Sequence, residues 1–550
     1  MRDATECDSA NVSLMIRSFE SRLRLFAVAL AVAVAGAAFG VPRECAAQLS
    51  VGTNPDSALA LEIERIEGEP IALADAQAAA RENATTVGEA AALLQAASGE
   101  ARRERGLFDP ELFADVVKRD DETPSSTPFS GAAVLETEGV NANGGARMRL
   151  PIGTELEASI ISTRLESNSA FSALNPEYSA TGALYVRQPL LKGFGPAAWD
   201  QLERANRALE AAEASHDDAM LAVRSEVETT YWALYAAERD LGVQRLVVDR
   251  ARAFLTEAKL RTDIGLVGPS QVANARVFLA EQELTLIDIE EALDLISDRL
   301  GTLMGRRPAP GQPRFRPSDE PPTEFAIEPQ DSLVARALRS NREVRAAERI
   351  AAAARAEAQG AAWDALPAVD LVGSVGGHGL SGTPRDIIFL GDTLRTTLDK
   401  GDFSDAWSQA VEGDFPAWSV GVNVTLPIFL REGRGERDRL RGELEFAEQQ
   451  LIAAQRNVED RVRANHRELA NGARRLGIAR EGVAASLEEI RIALIEYQNG
   501  QTTAFEVVRV GADLPRAQQR YSAALVRTAR AAAELSRLTS GALAPSESTD

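Results

Sequence analysis

Side chains able to do chemistry are few and scattered in this sequence. Three histidines, His216, His378 and His466, lie far apart with no ligand set beside any of them, which argues against a histidine-based metal site from one chain. The two cysteines, Cys7 and Cys45, both fall in an N-terminal segment that reads as removed, so the mature chain would carry neither a disulfide nor a thiol nucleophile. Gly193 and Gly195 in "GFGPAAW" form a GxG, but no third glycine and no βαβ unit accompany it, which excludes the usual dinucleotide site. The 82 acids show no paired-carboxylate or Ser/His/Asp grouping and spread along helical faces as solvation. A net charge of −22 speaks against nucleic acid, whose phosphates need a basic face. The expectation is a protein with no enzymatic activity and no cofactor, whose function lies in its shape.

The elements that make that shape begin behind an export signal. Arg17, Arg22 and Arg24 precede the apolar run Leu25–Gly40, which is too short to span a bilayer comfortably, and small residues follow in "ECAAQ". Residues 1–47 therefore read as a signal peptide cleaved near Ala47, with Met15 an alternative start. Glu44 immediately before Cys45 disfavours a lipoprotein. Five arginines and five acids cancel within residues 1–47, so the exported chain keeps the full charge of −22. No later run is apolar and long enough for a transmembrane helix, which leaves a soluble protein, a surface-associated one or a β-barrel.

Most of the chain is written twice. Ala80–Leu112 resembles Leu338–Val369, both alanine-rich, helical and ended by a proline, with Val87 to Pro110 and Val344 to Pro367 each 23 apart. "LYVRQPLLKGFG" at Leu184 pairs with "VNVTLPIFLREG" at Val422, and each opens a long helical run. The first run repeats Val223, Val227, Tyr231, Leu234, Ala237 and Leu241; the second repeats Val458, Val462, His466, Leu469, Gly472 and Leu476, each exactly matched at an offset of 235. That is an apolar seam on otherwise charged helices. Trp199–Ile264 would be one helix of roughly 100 Å at 1.5 Å per residue, returning over Pro269–Met304, and the second return runs over Thr503–Thr539. Glycines interrupt both long runs at Gly265 and Gly500, and Pro269 suits the start of a return helix. The expected parts are an N-terminal tail at 48–70, a first repeat at 71–304, a Pro-rich connector without regular structure at 305–331, a second repeat at 332–541 and a polar tail at 542–550.

Strands appear between the helices. Trp418, Val420, Val422, Val424 and Leu426 alternate with Ser419, Gly421, Asn423 and Thr425, giving one apolar and one small polar face over the 9–11 residues or so that a tilted strand needs to cross a bilayer. Ser179–Leu191 is its counterpart, and Glu111–Asp120 and Ala368–Gly377 are the strands entering each hairpin. Gly144–Ser167 reads as an additional hairpin that either extends the sheet or decorates a loop, and a polar loop of 40 residues runs from Gly376 to Phe415. About four strands cannot close a barrel, for which about eight is the practical minimum. Closure demands several chains.

The order signal peptide, helix, hairpin, long helix, turn and helix, given twice, resembles the TolC-like outer-membrane efflux protein family from Ile71 to Leu543. "NREVRAA", "LPAVDL", "RQPLLKGFG", "LPIFLREG", "DIGLVGPSQVANAR" and "YQNGQTTAFEVV" carry the likeness. The resemblance implies a mixed α+β membrane protein, internally duplicated, whose trimer completes a twelve-stranded transmembrane β-barrel above a periplasmic α-helical barrel. It implies a passive exit duct for a tripartite efflux or type I secretion system, with a periplasmic adaptor and an inner-membrane pump as partners and outer-membrane lipid around the strands. A periplasmic adaptor would carry one helical hairpin flanked by compact β domains, and a structural coiled-coil envelope protein would not need the alternation of Trp418–Leu426.

By the same resemblance, Gly265, Leu266, Gly500 and Gln501 are adaptor-contacting tips, and Glu506 lines the narrow tunnel entrance. A second acid often follows in the family, where this chain has Arg509, so a Glu506–Arg509 pair at i,i+3 would partly neutralise an anionic ring. Gate contacts would fall on Gln271, Tyr497 and Thr502, all uncharged, so a closed state would rest on hydrogen bonds that salt screens little. Open probability of the reconstituted channel is therefore expected to stay nearly constant across a salt series, and a steep ionic-strength dependence would count against those contacts.

Overall fold

The computed structural model describes residues 55–127, 130–266, 268–307, 311–322, 327–389, 392–395, 397, 399–499 and 501–540. The signal segment with Cys7, Met15, Cys45 and Ala47, the tip residue Gly500 and the tail from residue 541 lie outside the described residues.

In chain order the elements are α1 (Pro55–Glu64), β1 (Glu69–Ile71), α2 (Leu73–Asn83), α3 (Thr85–Gly106), β2 (Glu111–Pro124), β3 (Val134–Arg149), β4 (Glu155–Ser167), β5 (Leu174–Pro189), α4 (Pro196–Asp263), α5 (Pro269–Leu303), β6 (Phe315–Pro317), α6 (Gln330–Ser340), α7 (Arg342–Asp364), β7 (Ala368–Pro384), β8 (Ile387–Phe389), β9 (Asp392–Leu394), α8 (Phe403–Glu412), β10 (Phe415–Thr425), α9 (Arg431–Gln498), α10 (Ala504–Gly511) and α11 (Asp513–Leu538). The duplication is visible in this order, with α2–α3 answered by α6–α7 and α4–α5 by α9–α11.

Helices α4 and α9 are each continuous over 68 residues, roughly 100 Å long. Pro196 opens α4 at its first turn, where a missing N–H costs nothing. The seam positions Val223, Val227, Tyr231, Leu234, Ala237 and Leu241 are all buried, as are Val458, Val462, Leu469 and Leu476 in the second copy. His466, half-buried, spends its Nε2 on the Glu328 carbonyl at 3.0 Å. The first seam packs with Leu293, Leu300 and Met304 of the α5 end and with Ala76 and Ala80 of α2; the second packs with Leu333, Val344, Leu535 and Leu538. Fully burying each leucine is worth about 1.5–3 kcal/mol, which is what holds helices with such charged outer faces together.

Three expected regions differ from the sequence reading. The tail at 48–70 contains α1, whose Leu59 and Ile63 lie against Gly242, so close that a Cβ there would meet them at 3.2 and 3.1 Å. The connector holds regular structure after all: β6 pairs in parallel with β1, Phe315 opposite Glu69 and Pro317 opposite Ile71. The second return helix is broken between α10 and α11. Pro515 lacks the N–H that would bond to the Gly511 carbonyl, and its ring crowds that group, so the helix stops at Gly511 and restarts at Asp513.

Tyr231 explains why the connector is ordered at this point. Its hydroxyl accepts from the Ser318 and Asp319 amides, both at 3.0 Å, and donates to the Ile71 carbonyl at 3.0 Å. Tyr231→Phe leaves the Asp319 amide without its acceptor, while the Ser318 amide keeps the Ile71 carbonyl at 3.0 Å, so a loss of about 1–3 kcal/mol is expected. Thermal unfolding of the purified protein, read alongside protease nicking between 305 and 331, checks this. An unchanged melting temperature would remove Tyr231 as the anchor.

The strands form one antiparallel sheet of six in the order β10-β7-β5-β4-β3-β2. The expected number was about four. The additional hairpin is longer than its sequence signal, beginning at Val134, and lies inside the sheet between β2 and β5. The polar loop after Gly376 is also shorter than expected, because β7 runs on to Pro384 and α8 occupies much of what remains.

Candidate functional site

Register sorts the sheet into two faces of opposite character. One row crosses all six strands through Leu112, Ala146, Ala158, Leu184, Val375 and Trp418. The next rows on this face carry Met148, Leu156, Val186, Gly373 and Val420, and then Leu371 with Val422. Trp418 is 78% exposed and Val420 71%, although both are large and apolar. Val422 and Val424 share the face and the exposure; Leu426 is equally exposed but lies one residue beyond the end of β10. An uncovered apolar band of this extent is unusual for a surface in water.

The opposite face is polar. Its rows run through Glu111, Arg147, Glu157, Tyr185, Ser374 and Ser419. Arg147 donates to Glu111 at 2.8 Å, and Arg187 donates to Glu155 and to Asp370, each at 3.0 Å. Asn143 donates to Asp115 at 3.1 Å, and the Ser374 and Ser419 hydroxyls are 2.7 Å apart. Sequence reading missed this ladder of charges. Its signal was present in "RMR" and "ELEA", where charges alternate with Met148, Leu156 and Ala158 on the apolar face. Sheet edges β2 and β10 have no strand partner among the described residues.

At the far end of α4 the chain reverses through a Schellman motif. The Leu266 amide donates to the Arg261 carbonyl at 2.8 Å and the Gly265 amide to Thr262 at 3.0 Å, with Gly265 at φ +77°, a left-handed geometry that glycine adopts without strain. At the offset of 235, the Gln501 amide donates to the Glu496 carbonyl, also at 2.8 Å. Leu266 and Gln501 are exposed at these turns.

The model of the family "outer membrane efflux protein" matches residues 333–541. That segment, the second repeat, is similar to the outer membrane efflux protein family. No curated protein matches the chain by sequence. Among solved structures, the outer membrane protein VceC of Vibrio cholerae shares 16% identity at a TM-score of 0.58, over 85% of this chain and 96% of its own. The CmeC outer membrane channel of Campylobacter jejuni gives 14% and 0.56 over 92% and 94%, and the open state of the MtrE outer membrane channel of Neisseria gonorrhoeae 17% and 0.58 over 86% and 90%. Most of the chain therefore has the fold of these outer membrane proteins, including the first repeat that the family model leaves unmatched.

The two residues expected at the tunnel entrance, Glu506 and Arg509, fall on the short helix α10. Arg509 Nε donates to Glu506 at 3.0 Å, and a second contact joins the same pair. This is the expected i,i+3 pairing, and the neighbouring guanidinium holds the Glu506 carboxyl below its usual range. Gln271 is exposed in the first turn of α5, and Thr502 half-exposed before α10; no side-chain hydrogen bond joins them among the described residues. The Tyr497 side chain lies outside the described residues. Among the described residues no cluster of His, Cys, Asp or Glu is arranged to hold a metal, and no helix is long and apolar enough to cross a membrane.

Two buried acids lie elsewhere on α4. Asp240 accepts from the Ser522 hydroxyl of α11 at 2.7 Å, tying the repeats together, yet burial pushes its pKa up to about 6 against the pull of that bond. Burial, with Asp364 and Glu357 nearby, likewise raises Asp200 to about 6. A folded-state pKa above the unfolded value of about 3.9 means the folded protein binds the proton more tightly, so this stability is present in acid and lost as pH rises through 6. Asp240→Asn keeps the acceptor without the charge. Its melting temperature relative to wild type is expected to climb between pH 4 and 7, and a difference that is flat with pH would show that Asp240 does not ionise in place.

Proposed function

We propose that the chain is the subunit of a passive channel through the outer membrane, closed by three copies. The supporting observation is the six-stranded sheet with one continuous apolar face, one charged face and two free edges, carried on a helical body that matches the efflux-protein family. Open edges and bare apolar bands are unfavourable in any environment other than lipid with the edges paired. Pairing β2 of one copy with β10 of the next satisfies every edge. Three sheets of six strands give an eighteen-stranded barrel rather than the twelve that the family resemblance implied, of the size that leaves an aqueous channel. Trp418, Val420, Val422, Val424 and Leu426 then meet lipid, and the Glu111–Arg147 and Arg187–Asp370 pairs line the water-filled side.

In this reading the helices form a tube in the periplasm, and the turns at Gly265, Leu266, Gly500 and Gln501 receive a periplasmic adaptor bound to an inner-membrane pump. Gln271, Tyr497 and Thr502 link neighbouring tips when the duct is shut. A periplasmic adaptor role is disfavoured by the apolar sheet face. Fractionation and native mass of the detergent-extracted protein test the proposal: a trimer from the outer membrane is expected. A soluble periplasmic protein, or a stable monomer, would defeat it.

A further inference from the structure

The amphipathic helix α8 sits on the apolar face of the sheet, not on the charged one. Ala406 and Ala410, both buried, press onto Gly377 and Gly379 of β7 and Gly182 of β5. The approach is close: a Cβ at Gly379 would fall 1.8 Å from the Ala406 carbonyl oxygen, and one at Gly377 2.4 Å from that of Ala410. The helix is fixed at both ends, by the Asp402–Asp405 capping box and by Gly413 at φ +77°. Gln409 accepts from the Leu380 amide at 2.9 Å, and Phe403 meets Tyr178 edge-on with ring centroids 6.5 Å apart. The Trp407 indole donates to the buried Ser162 hydroxyl at 2.8 Å.

That last bond gives the depth of the helix. One step beyond Ser162 on the same face of β4 stands Arg164, and the matching step on β2 beyond Val116 is Lys118. Trp407 therefore lies at the row where the apolar band gives way to charge. Phe403, Trp407 and Val411 recur every four residues along α8 and remain exposed, Val411 to 68%. Ser404, Ser408 and Glu412 carry the polar side of the helix. Apolar residues and a tryptophan on one side of a short helix, polar residues on the other, at the rim of a hydrocarbon band, are what a helix lying in a membrane interface requires.

We propose that α8 is a lipid-binding element, laid flat at the headgroup boundary of the outer leaflet with Phe403, Trp407 and Val411 in the acyl region. This rests on the reading of the sheet as a barrel in the outer membrane. A second copy of the chain is not the occupant, because α8 covers β4, β5 and β7, interior strands of the six, while another copy must pair at β2 and β10. The helix thickens the apolar belt over a patch where glycines leave the sheet with no side chains of its own.

Nitroxide accessibility tests this on the full-length trimer in vesicles of phosphatidylethanolamine and phosphatidylglycerol. Cys7 and Cys45, the only cysteines, both fall in the segment read as a removed signal, so the mature chain is already a background in which single labels can be placed at Val411→Cys, Ser404→Cys and Val422→Cys. Collisions with lipid-soluble oxygen are expected to exceed those with a water-soluble nickel chelate severalfold at 411 and 422, and the reverse is expected at 404. A label at 411 that meets mainly nickel, or neither probe, while 422 meets oxygen, overturns the placement of α8 alone. Nickel dominating at 422 overturns the barrel reading itself.

Discussion

Val422→Arg is expected to abolish assembly in the outer membrane. Val422 sits midway along the apolar face of β10 opposite Leu371, with Val420 and Val424 on either side of it. An arginine at the centre of a lipid-facing strand costs about 2–4 kcal/mol per chain, so roughly three times that per trimer if the copies add, which is comparable with the whole stability of a domain. Asn423→Arg is the matched control. It places the same side chain one residue on, on the polar face opposite Asp370, where water and existing charges accept it. Outer-membrane fractionation and the trimer band of unheated gels should show Val422→Arg degraded or unassembled and Asn423→Arg near wild-type amount. Equal tolerance of both would mean that the band does not face lipid.

The difference between those two substitutions was readable from the sequence because β10 alternates without a break. Trp418 to Val424 are all large, and their neighbours are all small or polar. Strands β3 and β4 carry a weaker signal. Along the middle of β3 the apolar face is carried only by Ala142, Gly144 and Ala146, residues that hydropathy does not separate from a loop, so the sequence signals the hairpin only from Gly144 and leaves its place in the sheet open. What decides that place is pairing between β2 and β3 and between β4 and β5, which no local pattern encodes. The expectation of about four strands per chain failed for the same reason.

The helical half was more legible. A seam repeated at one offset, with charges everywhere else, admits few arrangements other than two long helices and their returns. Even so, α8 reads as part of a loop in the sequence, since its ten residues are short and its contact surface on the sheet consists of glycines. The break at Pro515 has no counterpart in α5, so the repeat predicts an unbroken second return and the proline overrides it. The tip geometry, by contrast, followed from glycine alone: Gly265 is left-handed where a helix must stop, and the same carbonyl-to-amide bond recurs at Glu496 and Gln501.

Removing one guanidinium at that tip is expected to change what the duct conducts. Glu506 and Arg509 pair within α10, so three subunits around an axis would place three carboxylates and three guanidinium groups together, with little net field. Arg509→Ala leaves three uncompensated carboxylates in a narrow entrance, where a ring of one sign concentrates counter-ions by about tenfold or more. Reversal potentials across a salt gradient in planar bilayers should then shift strongly towards cation selectivity. Glu506→Gln leaves the arginines alone and should shift them towards anions, with wild type between the two. The pH dependence carries the sign. Arg509 holds the Glu506 carboxyl below its usual range in wild type, whereas in Arg509→Ala that pull is gone and three neighbouring carboxylates raise one another, so the new cation preference should fade in acid at a higher pH than wild-type Glu506 would need to protonate. Salt should weaken it as well, because an exposed ring is screened over about 10 Å at 0.1 M. If neither substitution moves the reversal potential, α10 does not line the conducting path, and the entrance must be built from other residues.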